Sequence, residues 1–217
     1  MLESADTKAR TKLPLAVDLD GTLIHSDVFT ETILRFLFAT PWKAPLLLLW
    51  LLKGRAHAKM RLAELHPPDV TLLPYDQRVV AWLEAEKKSG RMIVLATASD
   101  QRTAQAVADH LGLFERVFAS DGVANLKSSR KAERLRDAFP GGFTYAGNET
   151  ADLKVWRAAA YAVTVNAPAR VTRRLKCRIE TSFAAEHHPM RAFIETMRLA
   201  TKIRRPELHQ SRRGGAI

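Results

Sequence analysis

The chain has 217 residues, enough for one fully packed domain with an insertion, and its 47% hydrophobic and 26% charged content excludes a disordered or fibrous protein. A single cysteine, Cys177, excludes an internal disulfide framework and fits a reducing compartment. The net charge of +11 is unevenly spread: residues 170–217 carry twelve Lys/Arg against four Glu, a net of +8, leaving about +3 for everything before them.

Residues 1–12 are polar and charged, without the pattern of a secretory signal. Together with the lone cysteine, this leads us to expect a cytoplasmic protein. The first strand is predicted over 13–19, and its apolar run closes on Val17-Asp18-Leu19-Asp20-Gly21-Thr22. Residues i and i+2 of a strand share a face, so Asp18 and Asp20 converge at the strand's carboxyl end. That edge of an open α/β sheet is where ligands bind. Two like charges held so close need a cation or a proton between them. The economical reading is a Mg2+ site at which Asp18 attacks a phosphoryl group. Asp20 then protonates the leaving oxygen and later activates water. Gly21 permits the tight turn, and Thr22 helps to cap the segment after it.

Residues 28–73 hold no strand pattern and read as helices over 28–39, 44–53 and 57–65, broken at Pro41, Gly54 and Pro67-Pro68. Inserted directly after the two aspartates, they are placed to form a cap that controls substrate access and excludes water. The stretch 44–52 (APLLLLWLL) is too short to span a bilayer, which needs roughly 20 apolar residues. Extending it back to Ile33 takes in Arg35, Pro41, Lys43 and Pro45, so it is expected not to span.

After the insertion, strand-length apolar runs over 92–97, 116–119, 143–146 and 162–166 alternate with helical segments over 76–88, 100–111, 129–138 and 152–159. This alternation predicts a parallel α/β sheet. The run over 92–97 ends in Thr97-Ala98-Ser99-Asp100, a strand end and helix start that offers an O–H and free backbone N–H groups to an anion. Thr97 and Ala98 are the candidates for holding phosphate, although the same four residues also read as a plain helix cap. A lysine, either Lys127 or Lys131, is expected to neutralise the nucleophile and the phosphate. In Gly147-Asn148-Glu149-Thr150-Ala151-Asp152, Asn148 and Asp152 can offer oxygens to a hard cation such as Mg2+, or can simply start a helix.

Over 190–203, Met190, Phe193, Ile194, Met197 and Thr201 share one face of an amphipathic helix. That helix is expected to dock on the core, on another chain or in a membrane interface. The basic tail suits an anionic membrane surface or an acidic partner, or is simply solvated. Nucleic acid is the less favoured partner because no reading motif accompanies the charge.

Taken together, DLDGT at 18–22, LATAS at 95–99, Lys131 and GNETAD at 147–152 resemble, in order and spacing, the four motifs of the haloacid dehalogenase superfamily. The resemblance covers about residues 13–166 and implies a Rossmann-like sheet with helices on both faces and a small helical cap. It also implies an Asp18 nucleophile, Asp20 as acid/base, and Thr97 and Lys131 at the phosphate. The implied cofactor is Mg2+, held by Asp18, Asp20, Asn148 and Asp152. The chain departs from the family where Asn148 stands in place of the usual aspartate, removing one negative charge from the metal site. Dehalogenases of the superfamily lack the second aspartate of the first motif, so the presence of Asp20 favours a phosphatase.

A narrower set of segments also resembles the phosphatase domain fused ahead of some UbiA-type prenyltransferases: LLPYDQ at 72–77, VADHLGLF at 107–114, SDGVANLK at 120–127 and ADLKVWRAA at 151–159. This implies a membrane-associated or prenyl-linked phosphosugar as substrate and a peripheral position at the inner face of the membrane. The organisation expected is a catalytic core over 1–27 and 74–169, a helical cap over 28–73, and a basic amphipathic segment over 170–217. The alternative is a non-catalytic interaction module of the same fold at a membrane complex, to which Asn148 and the tail would point. Transfer to an acceptor other than water is not distinguishable from these residues.

Overall fold

The structure is a computed structural model, and it describes residues 13–121 and 125–184. Six strands, β1 (Leu15–Val17), β2 (Ile93–Asp100), β3 (Arg116–Ser120), β4 (Thr144–Gly147), β5 (Tyr161–Val165) and β6 (Arg178–Phe183), form one sheet in the order β3-β2-β1-β4-β5-β6. Every neighbouring pair runs parallel. β1 is the centre from which the chain winds outwards in both directions. The crevice at the carboxyl ends of β1 and β4 is therefore the topological switch point, where such sheets bind ligands.

Helices α1 (Val28–Ala39), α2 (Ala44–Leu52) and α3 (Arg55–Leu65) belong to the insertion; α4 (Gln77–Lys88), α5 (Gln101–Leu111), α6 (Ser129–Ala138), α7 (Leu153–Trp156) and α8 (Ala169–Thr172) follow among the described residues. Asp27, Asp76 and Asp100 start α1, α4 and α5 as N-caps, each accepting from a backbone N–H of the first turn. On one face of the sheet, Leu15, Val17, Ile93, Leu95 and Val163 pack against Val79 and Leu83 of α4 and Ala104 and Val107 of α5. On the other, Ala16, Val94, Ala96, Tyr145 and Ala162 pack against Leu135 of α6 and Val155 and Trp156 of α7. With both faces covered, β1 is buried at every residue, which is why its sequence reads as an unbroken apolar run.

The insertion has a small core of its own, made by Phe29, Phe36, Leu47, Trp50, Ala58 and Leu62. α2 buries only Leu47 and Trp50 and leaves Leu46, Leu48, Leu49 and Leu52 exposed, with Trp42 beside them. Among the described residues no single helix is long and apolar enough to cross a membrane.

Two elements differ from those predicted. The helix expected over 152–159 is a single 3-10 turn at Thr150–Asp152 followed by the short α7. The sheet also continues past residue 169, where the core was expected to end and the basic segment to begin. β6 is a polar, largely exposed edge strand, RIETSF, without the apolar run by which the other strands were recognised. It is fixed by Arg91, whose buried guanidinium reaches Glu180 at 2.7 Å, Glu86 at 2.9 Å and the Thr144 hydroxyl at 2.7 Å. The amphipathic helix expected over 190–203 lies outside the described residues.

Candidate active site

Asp18 leaves the end of β1 with its backbone N–H bonded to the Ala146 carbonyl of β4, so its side chain enters the switch-point crevice. It lines a cavity of about 290 Å3 whose wall also includes Asp20, Asp27, Ala98, Lys131, Asn148 and Asp152, with Arg55 and Lys59 from α3. Lys131, on the first turn of α6, places Nζ 2.7 Å from Asp18 Oδ1 and 2.9 Å from the Tyr145 hydroxyl. The sequence left Lys127 and Lys131 open. Lys131 is the one beside the aspartate, whereas Lys127 pairs with Glu149 at 3.0 Å, with both side chains half exposed.

Burial pushes the Asp18 carboxyl up to about 7; the Lys131 charge opposes this, and the charges of Asp152 and Asp20 add to it. Burial also raises Asp20, with help from the charge of Asp27. Both oxygens of Asp20 accept: Oδ1 from the Val28 N–H that opens α1, at 2.9 Å, and Oδ2 from the Ser99 hydroxyl, also at 2.9 Å. The second aspartate is thus tied to the insertion and to the end of β2 together.

Thr97 is fully buried, and its Oγ1 accepts from the Ser99 N–H at 2.9 Å. The cavity wall is made by the next residue, Ala98, and does not include Thr97. The two candidates of that segment thus separate: Ala98 faces the cavity, while Thr97 shapes the turn that aims Ser99 at Asp20.

Asp152 lies at the cavity with both oxygens already taken. The Tyr145 hydroxyl donates to Oδ1 at 2.7 Å, and the Asn148 and Glu149 N–H groups donate to Oδ2 at 3.0 and 2.9 Å. Its evident task is to hold the Asn148 turn. The Asn148 side chain sits so close to Gly21 that a Cβ there would stand 2.2 Å from Nδ2. Gly21 also has φ +74°, so this position requires glycine on both counts.

These donors suit a hard cation. Among the described residues no group of three or more His, Cys, Asp or Glu is arranged to hold a metal ion. Mg2+ does not need one, since it binds through one or two carboxylates and keeps several waters. Asp18 Oδ2 has no donor facing it among the described residues. It and the Asn148 amide carbonyl, which accepts only a long 3.4 Å hydrogen bond from the Thr22 hydroxyl, are the oxygens that can face a cation.

Sequence reasoning did not select Arg55, Lys59, Ser99 or Tyr145. Arg55 and Lys59 are spaced i, i+4, but the helix predicted over 57–65 left Arg55 outside it, so their shared face shows only in the structure. Ser99 and Tyr145 act through tertiary contacts that no spacing announces.

No family model matches the chain. A curated relative, the uncharacterised protein y4nM of Sinorhizobium fredii (strain NBRC 101917 / NGR234), is 35% identical over 191 residues, which is 87% of this chain. The chain spans only 37% of that relative's length. Among solved structures, a phosphoserine phosphatase described as a phospho-aspartyl intermediate analogue aligns with 85% of this chain and 98% of its own, at a TM-score of 0.53 and 13% identity. The haloacid dehalogenase-like protein SP0104 from Streptococcus pneumoniae aligns over the same shares, with a TM-score of 0.52 and 14% identity. At such identities the likeness establishes the fold.

Proposed function

We infer that this chain, whose fold is that of the haloacid dehalogenase-like hydrolases, is a phosphatase that cleaves phosphate monoesters through an aspartyl phosphate on Asp18. The observation that carries this reading is the buried contact between Asp18 and Lys131 at the switch point, with Asp20 two residues on and facing the same cavity.

In the first half-reaction a carboxylate oxygen of Asp18 bonds to phosphorus while the ester oxygen departs, taking its proton from Asp20. In the second, Asp20 removes a proton from water, which attacks the same phosphorus and returns Asp18 as a carboxylate with release of phosphate. Burial raises the Asp20 carboxyl, in the direction a proton donor needs, and Ser99 and Val28 keep it aimed. Lys131 faces the nucleophile and the incoming phosphoryl oxygens, and Tyr145 and Asp152 hold it there through a chain of short hydrogen bonds. Mg2+, held by Asp18 and Asn148 when bound, would offset the charge that gathers on the phosphoryl oxygens; the Asp20 side chain, expected from the sequence among its ligands, has both oxygens engaged by Val28 and Ser99. Hydrolysis of p-nitrophenyl phosphate in Mg2+ tests the reading. Turnover is expected to vanish with EDTA and in Asp18→Asn, and persistence in Asp18→Asn refutes it.

We further propose that the substrate is met at an anionic membrane surface, with a membrane- or prenyl-linked phosphosugar as its class. The support is the exposed apolar set of Trp42, Leu48, Leu49 and Leu52, with Lys43 and Lys53 at either end of α2. An apolar face framed by lysines suits an interfacial helix on anionic lipid. The basic residues 185–217 would add attraction. Sedimentation with phosphatidylglycerol vesicles is expected to carry the protein down, less so in high salt and in Leu48→Glu/Leu49→Glu. Equal sedimentation with neutral and anionic vesicles contradicts it.

A further inference from the structure

The mouth of the cavity carries a second set of positive charge that the hydrolytic chemistry leaves unused. Arg55 and Lys59 lie one turn apart on the same face of α3, and both line the cavity that Asp18 and Lys131 also line. Each sits over the ring of Phe29, Arg55 Cζ at 5.6 Å and Lys59 Nζ at 5.4 Å from its centroid, so one buried aromatic side chain of α1 holds both cations in place.

Neither cation has a carboxylate within ion-pair distance among the described residues. Lys59 Nζ instead donates to the Ala98 carbonyl at 2.6 Å. Burial lowers Lys59 while the charges of Asp20 and Asp27 hold it up, so an added anion would stabilise the ammonium. The N-terminus of α3 adds to this field: Gly54 caps it with no side-chain acceptor, and the first N–H groups of the helix begin at Arg55. At the floor, by contrast, Lys131 is already committed to Asp18.

We propose that Arg55 and Lys59 form a second anion site, so that the preferred substrates are phosphate monoesters carrying another anionic group, a carboxylate or a second phosphate, beyond the ester being cleaved. This deepens the phosphatase reading for hydrolysis, but as a binding site it stands independently of turnover. The floor takes the phosphoryl group to be transferred and the roof takes the other anion, which sets the orientation of the substrate. An ester with a neutral leaving group would engage the floor alone.

The experiment pairs esters that differ in the second anion: fructose 6-phosphate against fructose 1,6-bisphosphate, and glycerol 3-phosphate against 3-phosphoglycerate. Binding is measured by calorimetry on Asp18→Asn with Mg2+, and kcat/KM is measured on the unmodified protein. One charged hydrogen bond is worth about tenfold in affinity, so at least about tenfold tighter binding is expected for one or both doubly anionic members. A gain confined to the bisphosphate identifies phosphate as the second group, and a gain confined to 3-phosphoglycerate identifies carboxylate. The ratio within each pair is expected to collapse towards one in Arg55→Gln and Lys59→Gln. Equal binding within both pairs, or a preference that survives the double variant, overturns the proposal. Preferential binding without any turnover retains the site and removes the phosphatase reading; turnover without preference does the reverse.

Discussion

Lys131 Nζ stands 2.7 Å from Asp18 Oδ1, and the two side chains are almost wholly excluded from solvent. A buried pair of this kind is costly to break, because the remaining partner must either stay charged without compensation or change its protonation. Lys131→Met is expected to cost about 3–5 kcal/mol of stability and at least about a hundredfold in kcat. Adding Asp18→Asn is expected to recover much of the stability and none of the activity. Urea unfolding of the single and double variants checks this, and equal stability loss in both contradicts it.

Metal removal is expected to make stability pH-dependent through Asp18. Its folded carboxyl lies at about 7 against an ordinary value of 3.8, because burial outweighs the Lys131 charge. The native state therefore binds the extra proton. The contribution of this group is fully present below 3.8 and is lost as pH rises through about 7. Bound Mg2+ favours the carboxylate and flattens that slope. Thermal unfolding in EDTA and in Mg2+ across this range, with Asp18→Asn as the variant lacking the group, measures the difference. Identical pH profiles in EDTA and Mg2+ would contradict the metal assignment.

Asn148 offers a neutral carbonyl where a carboxylate would bring a full charge. Asn148→Asp is expected to tighten Mg2+ binding by about tenfold or more, since a unit charge close to a cation is worth more than a dipole even when partly screened. Calorimetric titration with MgCl2 reads this directly. Unchanged affinity would place the cation away from the Asn148 turn.

Arg91 joins the amino ends of the strands to β6 through Glu180, which is itself almost fully buried. Arg91→Met is expected to cost about 3–5 kcal/mol by removing the buried cation that faces that carboxylate, and to release β6 before the rest of the sheet. Hydrogen exchange at 178–183 provides the measurement. Unchanged protection there would show that β6 is held by its backbone ladder alone.

The contrast between β1 and β6 shows what the sequence can reveal. β1 is covered on both faces and reads as an apolar run; β6 is an edge strand held by one buried arginine and carries no such run. The helices of the insertion were legible from Pro41, Gly54 and their apolar spacing, with α3 beginning two residues earlier than expected. The convergence of Asp18, Asp20 and Asn148 on one cavity followed from strand ends in a parallel sheet, whereas Lys131 was suggested only by motif order, with Lys127 left open beside it. The difference between Asp152 and Asn148 was not legible, because it rests on which oxygens are already taken by Tyr145 and the turn N–H groups. Thr97 likewise shows its hydroxyl engaged by Ser99 only once the loop is folded.

The most direct measurement is the site of covalent phosphorylation. Protein quenched in acid during turnover of a phosphate ester, then digested and analysed by mass spectrometry, is expected to carry a hydroxylamine-labile phosphoryl group on Asp18. None is expected on Asp20 or in the Asp18→Asn variant. Turnover that proceeds with no such adduct, or with the adduct on another residue, would contradict the account.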